Sequence, residues 1–205
     1  MLKESAIIRL ILLVVLLMGL PGAVPVKADD SQPLHGMGCL LSPPGDYPVL
    51  DAPPVHVQAL APVLDLGSTL PPVADQGMEP TCTLWAVAYY YKTFQEQRER
   101  AWDVDNTAHQ FSPGFLYSLS TSCRPLQAVA IPTAMELVKN QGCATLATFP
   151  LVTYNQCRMP TAEELQAALP YRALAYGNLF MQPGNADIYR LKAHLAKGDP
   201  SVLSI

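Results

Sequence analysis

The sequence predicts an α+β domain, and three observations carry that reading. Half of the 205 residues are apolar and 15% are charged, which suits one buried core at a single-domain length. Helical spacing dominates from Cys82 onward, while strand-like runs at residues 171–175 and 201–205 come late, so helices and sheet are segregated along the chain. Twenty prolines favour short elements joined by irregular segments.

The elements follow in order. Lys3 and Arg9 precede an apolar run at residues 10–20, and Pro21, Gly22 and Pro25 then break any helix, a secretory signal pattern. Cleavage is expected after Ala28, with Ala23 as the second choice. The run is 11 residues long against the ~20 needed to cross a bilayer, so no stable membrane anchor is expected. Residues 29–63 carry Pro43-Pro44 and Pro53-Pro54 without sustained periodicity and are read as a leader or linker; residues 64–205 form the domain.

In that domain Leu84, Val87, Ala88, Tyr91 and Phe94 recur at helical spacing from Cys82, with Thr81 as N-cap and Lys92, Glu96, Arg98 and Glu99 off the apolar face. A second helix, expected to pack on the first, fits residues 132–141, opened by Pro132 and stopped by Gly142. Thr161-Ala162-Glu163-Glu164 has capping-box spacing for a third, which Pro170 ends. A fourth starts at Ala186 behind Asn185, with Ile188, Leu191 and Leu195 inward and Gly198 closing it.

Charge and cysteine content narrow the function. The formal charge is −4, and removing residues 1–28 takes three bases from 13 and one acid from 17, leaving −6; nucleic acid is not an expected partner. Export would permit disulfides among Cys39, Cys82, Cys123, Cys143 and Cys157, and five thiols leave at least one outside an intrachain pair. No CxxC or HxxxH spacing appears, so no metal site is expected, and no cofactor is implied.

The chemistry concentrates at Asp75-Gln76-Gly77-Met78-Glu79-Pro80-Thr81-Cys82. A thiol at the opening of a helix meets the positive end of the macrodipole, which stabilises a thiolate. Gln76 lies six residues upstream across a glycine and offers an amide donor to a tetrahedral oxyanion, with the Cys82 N–H as a second donor. From the helix alone Cys82 would be read as a small buried hydrophobe and Gln76 as a loop amide. Trp85, Tyr89, Tyr90 and Tyr91 read as core or groove wall.

This stretch resembles the opening of papain-like cysteine peptidases, where Gln-Gly precedes the nucleophile by the same spacing. Phe111-Ser112-Pro113, the run from Ala134 to Gly142, Phe149-Pro150 and the run from Lys197 to Val202 resemble later landmarks in order. The resemblance implies a papain-like fold, a helical lobe with an incomplete β-sheet lobe, with Cys82 as nucleophile, Gln76 in the oxyanion hole and peptide or protein as substrate. It also implies a Cys123–Cys157 disulfide, although Cys143–Cys157 stays open from sequence. The chain departs from the family at Glu79, where a cysteine is usual, at Thr83, where tryptophan is usual, and at Arg124-Pro125-Leu126-Gln127, which lacks the paired glycines.

In the family the catalytic His and Asn lie ~130 to 150 residues past the nucleophile, whereas 123 residues follow Cys82 here, so both are expected outside this chain. His35 and His56 fall in the leader, His109 follows the first helix and His194 lies within the fourth; none has a family-like context. The expectation is a secreted or periplasmic cysteine-type peptidase, or its amino-terminal portion, inactive as this chain alone. A second chain is a candidate source of the missing lobe. The rival reading is a non-catalytic peptide-binding module.

Overall fold

A computed structural model describes residues 39–42, 48, 63–151, 156–179 and 185–203. The chain divides into Met1–Gln32 and Pro33–Ile205, and every described residue belongs to the second unit. The expected signal segment, its cleavage sites, His35, His56 and most of the proline-rich leader lie outside the described residues.

The architecture is α+β, with helices around one core and a small parallel sheet. Its centre is a helical run of three contiguous pieces: α1 (Cys82–Leu84), a π-helical stretch (Trp85–Lys92) and α2 (Thr93–Arg100). Then come α3 (Pro113–Thr121), α4 (Ile131–Gln141), α5 (Ala162–Ala168) and α6 (Asn185–Ala196). Strand β1 (Cys39–Leu40) pairs in parallel with β2 (Val129–Ala130), with Cys39 opposite Val129. The run at 82–92 packs on α3 and α4, enclosing Leu84, Val87, Phe115, Leu116, Ala134 and Val138, all almost fully buried. Apolar burial of this kind, at ~25 cal/mol per Å², is the dominant favourable contribution to the fold.

Local chemistry explains most boundaries. Helix α3, which periodicity alone leaves unassigned, starts where Ser112 Oγ accepts from Phe115 N at 3.2 Å and Pro113 takes the first turn. Helix α5 has the complete capping box: Glu164 N donates to Thr161 Oγ1 at 3.3 Å, and Thr161 N donates to Glu164 Oε2 at 2.8 Å. Helix α4 stops at Gly142, whose φ is +78° and whose absent Cβ would fall 2.0 Å from the Ala168 carbonyl oxygen. Only glycine lets the end of α4 approach the end of α5 this closely.

Several expectations are corrected. Residues 171–175 form no strand: Leu169–Tyr171 is a 3₁₀ turn, after which Ala173 N donates to the Val138 carbonyl at 3.2 Å without forming a ladder, and 201–203 are in no strand either, while 204–205 lie outside the described residues. A strand exists only where another backbone completes its ladder, and here the described pairing is between the leader and residues 129–130. Ile188, expected inward, is 52% exposed, whereas Leu191 and Leu195 are half-buried.

Lys92 and Glu96, expected off the apolar face, are both buried. Lys92 Nζ lies 2.7 Å from Glu96 Oε1, and Arg100 Nε lies 2.6 Å from Glu96 Oε2. The π-helical stretch turns through a smaller angle per residue than an α-helix, which rotates both charges inward relative to a 3.6-residue count. Mutual pairing is what makes their burial tolerable.

Candidate functional site

The loop that carries Gln76 is strapped to the central run by two tyrosines. Tyr89 Oη donates to the Pro72 carbonyl at 2.9 Å, and Ala74 N donates to Tyr90 Oη at 3.2 Å. Trp85 and Tyr90 each meet the Tyr89 ring edge-on at 5.0 Å, so the straps themselves sit in an aromatic cluster. Burial pushes the Tyr89 hydroxyl above its ordinary range, keeping it a neutral donor. These contacts give the aromatic stripe a role that the sequence alone left as wall or core.

The turn itself is built on hydrogen bonds. Asp75 Oδ1 accepts from Gly77 N at 2.7 Å, and Gly77 adopts φ +65°. Gln76 Nε2 donates to the Glu79 carbonyl at 3.0 Å, and Thr81 N donates to the same carbonyl at 2.8 Å. Glu79, standing where the family has a cysteine, therefore ties the loop through its backbone oxygen. One N–H of the Gln76 amide is engaged in this bond, which fixes the half-buried side chain.

Cys82 is the first residue of α1 and is half-buried. Thr81 occupies the N-cap position but its hydroxyl makes no capping bond, correcting the expectation. Its φ of −113° and ψ of 12° lie outside the extended conformation that aims a cap side chain at the first-turn N–H groups. The Thr81 carbonyl accepts from both Leu84 N at 2.9 Å and Trp85 N at 3.0 Å, starting the helix through backbone alone.

The other cysteines have distinct fates. Cys123 and Cys157 form a disulfide, 34 residues apart in sequence. Cys143 is free and fully buried, and burial pushes its thiol up to about 12, so it is inert at neutral pH. Cys39 is free and half-buried in β1. Among the described residues no group of three or more His, Cys, Asp or Glu is placed to hold a metal ion, and no helix is long and apolar enough to cross a membrane.

Both described histidines serve local packing. His109 stacks on Trp102 at 4.5 Å, with Nδ1 2.9 Å from the Asp103 carbonyl. His194 Nε2 lies 3.3 Å from the Pro200 carbonyl and 3.6 Å from Asp199 Oδ2, fastening the chain beyond α6. The segment in place of the family's paired glycines is also locally held: Tyr117 Oη donates to the Arg124 carbonyl at 2.6 Å, and Arg124 Nε donates to the Thr121 carbonyl at 3.1 Å. Ser122, Cys123 and Leu126 there adopt φ between 53° and 59°, uncommon for residues with a Cβ.

With this geometry in hand, the fold is found to be similar to that of a solved cysteine protease. Xylellain, a cysteine protease from Xylella fastidiosa, superimposes with a TM-score of 0.63 at 18% identity, covering 80% of this chain and 63% of xylellain. The chain thus spans under two thirds of that protein's length, and the likeness is one of fold. No protein-family profile and no curated protein matches the chain.

Proposed function

We propose that this chain carries the nucleophile-bearing part of a cysteine-type peptidase acting on peptide or protein substrates. The observation that carries the reading is the half-buried Cys82 at the first turn of the central helix, in a fold of the cysteine-protease class, behind a Gln76 side chain fixed by the Glu79 carbonyl. The Cys82 thiolate attacks the scissile carbonyl carbon, a C–S bond forms, and negative charge moves to oxygen. The Gln76 amide and the Cys82 N–H are the proposed donors to that oxyanion, an arrangement in which each well-aimed donor contributes on the order of 10²- to 10³-fold. Collapse breaks the C–N bond and leaves a thioester on Cys82, which water hydrolyses.

The leaving amine needs a proton, and the thiol needs a base, each worth ~10² to 10⁴-fold. His109 and His194 are committed to contacts of their own. The proton relay is therefore assigned to a His outside the described residues. Residues 1–28 are read as an export signal, consistent with the Cys123–Cys157 disulfide. The decisive measurement is the alkylation rate of Cys82 by iodoacetamide, mapped by peptide mass. The expectation is a rate at neutral pH above that of a free cysteine; a rate at or below it removes the nucleophile.

The engagement of both described histidines favours a second reading, a peptide-binding module without turnover. Saturable binding of peptide with no cleavage after a His-bearing partner is supplied would select it.

A further inference from the structure

The loop that leads to Cys82 is exposed along residues 72–75, with Val73 94% exposed, so apolar burial contributes little to where it lies. Two tyrosines of the central run reach it: Tyr89 Oη donates to the Pro72 carbonyl at 2.9 Å, and Tyr90 Oη accepts from Ala74 N at 3.2 Å. Pro72 and Ala74 are exposed residues, where water can serve a freed carbonyl or N–H, so neither bond adds much to stability. What two bonds to alternate residues supply is direction. They fix the path of the chain into the turn in which Asp75 Oδ1 accepts from Gly77 N at 2.7 Å. From the other end the Glu79 carbonyl accepts from Gln76 Nε2 at 3.0 Å and from Thr81 N at 2.8 Å, so the Gln76 amide is held between two anchored ends of one loop. The tyrosine rings are themselves fixed: Tyr89 is 4% exposed, and Trp85 and Tyr90 meet it edge-on at 5.0 Å.

We infer, on the reading of Gln76 as an oxyanion donor, that Tyr89 and Tyr90 are positioning residues for its amide: through the Pro72 carbonyl and the Ala74 N–H they hold the loop where that amide meets the oxyanion formed on attack by Cys82. Developing charge is stabilised by a donor already in place, because reorganisation at the moment of attack subtracts from its effect. A donor on an exposed loop meets that condition only when a rigid element fixes the loop. Cys82 opens the continuous helical run that carries both tyrosines, so the two straps reference the amide to the same body as the sulfur.

The test applies two reagents to the whole chain, each followed at Cys82 by peptide mass so that Cys39 and Cys143 do not contribute. Iodoacetamide is attacked at saturated carbon: the S–C bond forms as iodide leaves, and no oxyanion develops. p-Nitrophenyl acetate is attacked at its carbonyl: the S–C bond forms through an oxyanion, the C–O bond breaks, and p-nitrophenolate leaves without needing a proton, so no histidine is required. Both reactions draw on the same thiolate, and the ratio of acetylation to alkylation rates therefore isolates stabilisation of the oxyanion. The parent ratio is expected to exceed that of free cysteine, and Gln76→Ala to lower it about 10²-fold. Tyr89→Phe combined with Tyr90→Phe keeps both rings and should lower the ratio about tenfold, part of the ~10²-fold that a misplacement of about 1 Å can cost, with alkylation within about twofold of the parent. Each single variant should lie between. A double variant with the parent ratio overturns the proposal even if it melts lower, since the hydroxyls would then serve stability alone. Should the double variant fail to fold, parent ratios in both single variants overturn it equally. A Gln76→Ala chain with the parent ratio removes the donor reading along with this proposal, whereas a low ratio there beside an unchanged double variant removes this proposal alone.

Discussion

Gly142→Ala is among the most severe single changes the fold predicts. Gly142 has φ +78° and ψ −162°, a region open almost only to glycine, and an alanine there costs about 1–3 kcal/mol in backbone strain. The new Cβ would also fall 2.0 Å from the carbonyl oxygen and 2.7 Å from the carbonyl carbon of Ala168, the fully buried last residue of α5. Backbone cannot rotate away as a side chain can, so α5 must move relative to α4, an overpacking cost of another ~1–3 kcal/mol. The sum is about 2–6 kcal/mol, which at ~2–4 °C per kcal/mol for a domain of this size lowers Tm by about 10 °C. The control is Gly77→Ala, at φ +65° with no atom within 4 Å of the added Cβ, where strain acts alone and Tm should fall by only a few degrees. Circular-dichroism melts of the two variants and the parent decide it. Equal Tm losses for both would refute the close approach of the two helix ends.

Removing either partner of the Lys92–Glu96 pair, by Lys92→Met or Glu96→Leu, should cost about 3–5 kcal/mol in urea unfolding, while the double variant should lie nearer the parent because no uncompensated buried charge remains. Replacing Cys123 and Cys157 by alanine opens a loop spanning 34 residues and should lower unfolding free energy by about 3–4 kcal/mol on the chain-entropy account. Glu164→Ala removes the Arg158 pair and the reciprocal half of the capping box, and should cost about 1 kcal/mol at neutral pH. The Arg158 guanidinium holds the Glu164 carboxyl down to about 2, so its stabilisation is full above the unfolded value of ~4.3 and lost as pH falls through about 2. The parent and Glu164→Ala stability curves should converge over that window.

The parts of the fold that the sequence makes legible are those set by local rules. The stop at Gly142, the Thr161 capping box and the extent of α6 follow from caps, glycine and spacing, and the start of the central helix at Cys82 follows from spacing although the Thr81 hydroxyl does not cap it. Features that depend on distant partners are not legible in this way. The strand at Cys39–Leu40 needs Val129–Ala130 to exist, and the tyrosine straps from Tyr89 and Tyr90 reach back 16 or 17 residues to a loop. The inward Lys92 and Glu96 depend on a π-helical stretch that a fixed 3.6-residue period cannot register. At the site, spacing singled out Gln76 and Cys82, but the Glu79 carbonyl that grips Gln76, and the unpaired Thr81 hydroxyl, emerge only in three dimensions.

The bond from Gln76 to the Glu79 backbone oxygen has a practical consequence for handling the protein. A free, half-buried thiol such as Cys82 must be protected from oxidation, and the dithiols used for that purpose also attack disulfides. Because the turn before Cys82 is closed by amides and a carbonyl instead of a second sulfur–sulfur link, such reagents leave it whole. Their structural damage falls at Cys123–Cys157, so a reductant titration separates the upkeep of the Cys82 thiol from the loosening of that disulfide.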